Sequence, residues 1–134
     1  MSCKSALYTA MQTPTAVAVD GVIPLGSLIR RYGCDVVLNG NAVNIAGAGY
    51  YDVDASVTVA PAAVGTVTVT LFKDGVAVPG ATASATAAAA NDALDLNITA
   101  LVRQACCAAG SALTLVLTGV AATVNNVALR VQRI

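Results

Sequence analysis

The sequence predicts an all-β protein, an antiparallel sandwich of two sheets. Four stretches, 64–71, 81–90, 94–102 and 112–120, are built almost wholly from Val, Thr, Ala and Leu, with turn residues in the breaks between them. That composition suits short strands covered on both faces, not helices with a polar outer side. Apolar residues also recur with period two. In Tyr51–Val59 the odd positions are apolar and Asp52, Asp54, Ser56 and Thr58 take the even ones, so this strand has one core face. Charged residues make up only 10% of the chain against about 25% in an average soluble domain, too few to cover an isolated subunit. A second copy of the chain is the expected cover for the remaining apolar surface.

The elements follow in order. Residues 1–34 form a polar, Pro-broken lead, expected to be an attachment segment, and residues 35–134 form the head domain. Asn39-Gly40-Asn41 separates Asp35–Leu38 from Ala42–Ile45, a tight hairpin built on residues that tolerate positive φ. The strand at Tyr51–Val59 comes next, followed by a second hairpin in which Lys73-Asp74-Gly75 divides Val67–Phe72 from Val76–Val78. Ala83–Ala90 favours helix by alanine propensity, but Ser84, Thr86 and the β-rich flanks tilt it to a weak strand. Asp92–Ala109 has an amphipathic helix capped by Asn91 or Asp92 as its alternative, and the alternation of Leu94, Leu96 and Ile98 argues for strand. Leu113–Leu117 and Val127–Val131 repeat the alternation. The total is about eight to ten strands, which fits a two-sheet jelly roll.

Function classes narrow by composition. The uncharged run 75–91 is rich in Ala, Thr, Gly and Ser and contains Pro79, so it is not the roughly 20 strongly apolar residues of a spanning helix. Seven Lys and Arg balance seven Asp with no Glu, which directs the chain neither to nucleic acid nor to an anionic membrane. The first residues lack the continuous apolar core of a signal peptide. Cys3, Cys34, Cys106 and Cys107 read as small apolar residues made in a reducing compartment. A zinc site is the sharper alternative, without a CxxC pair or any His to support it, and an intersubunit disulfide through Cys3 is a third reading.

Catalysis finds little to work with. With no His and no Glu, the usual general bases are missing, and no Ser stands in a nucleophile elbow. Asp52 and Asp54 share a strand face and could imitate a carboxylate pair or a Ca²⁺ site, but supply too few oxygens. They read as a solvated face. Arg30-Arg31 reads as a wetted loop or an intersubunit ion pair. Gly47-Ala48-Gly49 leads into a strand and not a helix, so it is no phosphate cradle. No enzyme activity, metal or cofactor is expected. If the strands pack against neighbouring subunits, the candidate interface residues are Tyr50, Phe72, Leu115, Leu117, Leu129 and Val131, the aromatic pair favoured as anchors.

A resemblance adds to this reading. Gly47-Ala48-Gly49-Tyr50-Tyr51-Asp52-Val53, the strand Val67–Leu71, the turn Lys73-Asp74-Gly75-Val76-Ala77-Val78-Pro79-Gly80, then Leu115–Gly119 and a closing Val127–Val131 strand resemble the trimeric globular head that ends the collagen-like glycoproteins of the bacillus exosporium. That head belongs to the tumour-necrosis-factor-like and complement-head jelly-roll family. The resemblance covers roughly residues 35–134, and the chain departs from the full-length exosporium proteins in having no Gly-X-Y repeat. Short stand-alone heads are similar to bacteriophage virion proteins that decorate capsids or tip fibres. The resemblance implies a homotrimer and no catalytic residue. Three roles follow as expectations: a structural head on a phage virion, made in the bacterial cytoplasm and held to a capsid or fibre protein through the lead; a spore or bacterial surface head; or a module binding a glycan or host protein.

Overall fold

The computed structural model describes residues 5–33, 35–105 and 110–134, and among them forms eleven strands and no helix. In chain order these are β1 (Ala6–Met11), β2 (Thr15–Val17), β3 (Ser27–Tyr32), β4 (Val36–Asn39), β5 (Ala42–Ile45), β6 (Gly49–Pro61), β7 (Gly65–Lys73), β8 (Val76–Ala87), β9 (Leu94–Gln104), β10 (Ser111–Gly119) and β11 (Ala122–Arg133). One sheet runs β3-β1-β11-β6-β9, with β2 also paired to β11. The other runs β4-β5-β10-β7-β8. All pairings are antiparallel. From β5 onward the chain changes sheet at most connections, so sequence neighbours such as β9, β10 and β11 lie in alternate layers, and this interleaving makes the sandwich a jelly roll.

The core is written in the alternation. Tyr51, Val53, Ala55, Val57 and Val59 of β6 are buried and face Val67, Val69 and Leu71 of β7 and Leu113, Leu115 and Leu117 of β10 across the interlayer space. β11 adds Val124, Val127, Leu129 and Val131. A bulge between Val124 and Asn126 shifts its register against β6, which is why the buried positions change parity there. The β7–β8 hairpin turns through Asp74 and Gly75 at φ 53° and 81°, the pair of positive values that a two-residue hairpin matched to strand twist requires. The β4–β5 hairpin turns at Gly40.

The two ambiguous segments are strands. The alanine-rich run stays in β8 through Ala87, held by cross-strand partners on β7 that outweigh alanine's helix preference, and then turns at residues 88–91. Leu96, Ile98, Val102 and Gln104 of β9 are buried by the long pairing with β6, and a helix there would have left that β6 edge unpaired.

The boundary expected after residue 34 is not a division of the structure. β1 lies inside the six-stranded sheet between β3 and β11, and Leu7, Met11, Val17, Ile23 and Leu25 join the same core as the head. Residues 20–23 cross to the second sheet, where Asp20 and Ile23 N–H groups donate to the Leu117 and Leu115 carbonyls at 2.7 and 2.8 Å. The polar, Pro-containing stretch that looked like a lead is the short link between β1 and β2. The four cysteines, Cys3, Cys34, Cys106 and Cys107, lie outside the described residues.

Candidate interaction surface

The two sheets present chemically different outer faces. On the five-stranded sheet, the even positions of β7 pair with those of β8 as a ladder of hydroxyls: Thr66 with Thr86 at 3.1 Å, Thr68 with Ser84 at 2.9 Å and Thr70 with Thr82 at 3.1 Å. Val67, Val69 and Leu71, the odd positions of β7, point into the core. Small hydroxyls paired to one another make the β7–β8 part of this face polar.

The outer face of the six-stranded sheet is different. Registers place Tyr8 of β1 beside Arg130 of β11, which lies beside Asp54 of β6 and Thr99 of β9. The next row toward the chain termini reads Tyr32, Ala6, Gln132, Asp52, Leu101. In the other direction Ala10, Ala128 and Ser56 give a row of small side chains. Tyr8, Tyr50, Leu101 and Tyr32 are 39%, 49%, 59% and 69% exposed, although each is large enough to anchor a contact. Three of the four tyrosines therefore stand on or at the margin of this one face, the fourth being buried Tyr51.

The charges at the centre of the face are paired. Arg130 holds Asp52 at 3.3 Å and also Asp54, and Thr99 Oγ1 donates to Asp54 Oδ1 at 3.0 Å. Asp52 and Asp54 thus share the Arg130 guanidinium. No group of three or more metal-ligating side chains occurs among the described residues. Arg30 and Arg31 sit on β3, exposed, with Arg31 Nε donating to the Val36 carbonyl at 2.8 Å. They form part of a strand and not a loop. Between β1 and β3 lies an open groove of about 620 Å³ bordered by Tyr8, Ile29, Arg30, Tyr32 and Arg130.

The Gly47-Ala48-Gly49 segment has a structural job. A side chain on Gly47 would begin 2.5 Å from Asp35 Oδ1, and the Tyr51 hydroxyl donates to the Gly47 carbonyl at 2.6 Å. Burial, then the Asp35 carboxylate, pushes the Tyr51 phenol above its ordinary pKa, so it stays a donor. Asp35 itself pairs with Arg133, which also donates to the Ala48 carbonyl.

Of the six interface candidates read from the sequence, Leu115, Leu117, Leu129 and Val131 lie in the core of their own subunit, each at most 2% exposed. Their parity is the inward one on β10 and β11, and another chain cannot reach them. Tyr50 is at the surface, and Phe72 is half-buried beyond the bulge that shifts β7 against β8. The residues that sequence reading missed, Tyr8 and Tyr32, belong to the supposed lead. The signal was present: Leu7, Thr9 and Met11 alternate with Tyr8 and Ala10 as in the other strands.

No family model matches the chain, and no curated protein does. Solved structures do. Murine APRIL superposes with a TM-score of 0.74 at 13% identity over 98% of this chain and 99% of that one. The globular domain of zebrafish complement 1qA protein gives 0.69 at 8% identity over 95% and 94%. The chain has the tumour-necrosis-factor-like, complement-head jelly-roll fold anticipated from its sequence. Within that fold it is also similar to the PRD1 vertex protein P5, with a TM-score of 0.65 at 12% identity over 100% and 99% of the two chains.

Proposed function

We propose that this chain is a non-enzymatic structural head that assembles as a homotrimer through the outer face of its six-stranded sheet and decorates or tips a bacteriophage virion. The observation that carries the trimer is the contrast between the two outer faces: hydroxyl ladders on one, and Tyr8, Tyr32, Tyr50 and Leu101 around small residues and the Arg130–Asp52–Asp54 cluster on the other. Large apolar groups around a paired ionic centre are what a permanent interface buries, because unpaired charge there would have to be desolvated. The likeness to the PRD1 vertex protein supports the virion role, and the absence of His and Glu supports work done by shape and assembly. Since residues 6–32 are woven into the sheets, attachment to a capsid or fibre protein falls to the ends of the sandwich.

Light scattering at micromolar concentration is expected to report three times the 13.3 kDa chain mass, with no monomer. Tyr8→Asp should break that species, while Thr68→Asp on the hydroxyl face should leave it intact. A monodisperse wild-type monomer would sink the proposal. The groove between β1 and β3 favours a second reading, recognition of an anionic glycan by Arg30 flanked by Tyr8 and Tyr32. The two readings separate cleanly, because a trimer through this face closes the groove.

A further inference from the structure

The balanced net charge conceals a polarity along the strands. At the end of the sandwich where the termini emerge lie Arg31, Lys73 and Arg103: Arg31 Nε donates to the carbonyl of Val36, the first residue of β4, and Lys73 Nζ donates to the Arg103 carbonyl at 2.7 Å. Asp74 is the carboxylate there that no guanidinium holds among the described residues, since Asp35 pairs with Arg133. Midway along the strands, Arg130 holds Asp52 and Asp54, and Arg30 lies opposite Tyr8. The opposite end carries Asp20, Asp92 and Asp95, all exposed. Asp20 N–H reaches the Leu117 carbonyl, Asp95 faces Thr58 and Asp92 sits in the turn after β8. No Lys or Arg among the described residues accompanies them.

Eight residues of β9 separate Arg103 at one end from Asp95 at the other, about 26 Å at roughly 3.3 Å per residue. Screening in about 0.1 M salt acts over about 10 Å, so the two ends of one chain cannot neutralise each other. Two copies in contact can. Each end also exposes apolar side chains for a contact to bury, Val76 and Ile134 with the cations and Val19 and Val64 with the carboxylates.

We propose that copies of this chain, as single heads or as trimers, associate end to end, the cationic end of one seated on the acidic end of the next. The two surfaces differ, so the contact is heterologous and does not close on itself. It builds a column of heads along the strand direction. This goes beyond the lateral trimer: Arg103 and Asp95 sit toward the two ends of the face offered for it, and Lys73, Asp20 and Asp92 lie off that face.

Sedimentation velocity tests the idea on the intact chain. In about 20 mM salt the wild type should show species at two or more times the mass of its basic unit, and in about 500 mM salt it should return to that unit. Lys73→Glu with Arg103→Glu leaves both ends acidic, and Asp92→Lys with Asp95→Lys leaves both basic. Each variant alone should remain the basic unit at low salt, and a one-to-one mixture of the two should associate again. The single Asp95→Lys change, which leaves the Asp92 turn untouched, should weaken association at least several-fold if the double variant fails to fold. Wild type that stays the basic unit at low salt, or association indifferent to salt and to charge reversal, overturns the proposal. The high-salt mass reports separately whether the basic unit is a trimer.

Discussion

Replacing Asp35 by Asn should loosen the end of the sandwich where β11 closes against the start of β6. The Asp35–Arg133 pair is only 13% and 15% exposed at its side chains, and Arg133 also grips the Ala48 carbonyl. The Asp35 N–H donates to Ser5 Oγ at 3.0 Å, so one clasp ties the segments before β1, β4 and β6 to the last strand. Exposed pairs contribute about 0–1 kcal/mol, whereas removing one partner of a fully buried pair costs about 3–5 kcal/mol. Burial at this level sets the cost of Asp35→Asn at about 2 kcal/mol, and more for Arg133→Met, which strands a carboxylate with little water around it. For a chain of 134 residues this lowers the unfolding midpoint by about 8 °C. Thermal and urea unfolding followed by circular dichroism, at one fixed protein concentration, would measure it. The double variant should recover about 1 kcal/mol or more of the summed losses, because the pair acts as a unit. Asp35→Asn within about 0.5 kcal/mol of wild type, or strict additivity in the cycle, would refute the clasp.

Two further outcomes follow from local geometry. Asp74 accepts a hydrogen bond from the Ala112 N–H at 2.9 Å, and this, with Ser111 next in effect, holds its carboxyl below the ordinary carboxylate value. The stabilisation is therefore complete above that ordinary value and disappears as pH falls through the depressed one. Asp74→Asn should cost under about 1 kcal/mol at neutral pH, since the group is solvent-screened, and the gap to wild type should close as pH falls below the ordinary carboxylate range; a gap independent of pH would contradict this. Gly119→Ala should be far worse than Gly75→Ala. A side chain at Gly119 would begin 2.1 Å from the Thr66 carbonyl oxygen at φ 91°, whereas nothing lies within 4 Å of one at Gly75. The first should cost at least about 2 kcal/mol and the second about 1, the strain of positive φ alone. Equal losses in denaturant titrations would show that the β7–β10 approach is looser than it looks.

Much of this was legible in the sequence because strand periodicity is local information. The alternation through Tyr51–Val59, Val67–Leu71 and Leu113–Leu117 named the inward side chains, and Asp74-Gly75 named its own turn, since side-chain direction and turn geometry depend on a few adjacent residues. What only the tertiary structure decided is which strands are neighbours and which faces remain outside. Leu115, Leu117, Leu129 and Val131 looked available to a second subunit, and they are taken by the opposite sheet. β1 and β3 looked like a lead, and they pair with each other while β1 also pairs with β11, which begins more than a hundred residues after β1 ends, placing Tyr8 beside Arg130 and Tyr32 on the same face as Leu101. The charge polarity has the same origin: Lys73 meets Arg103, and Asp20 lies toward the end that carries Asp92 and Asp95, only after antiparallel pairing brings distant residues to one height along the strands. A period of two says that a residue faces in or out. It says nothing about what lies opposite, because that depends on long-range pairing between strands, and pairing depends on the whole chain at once.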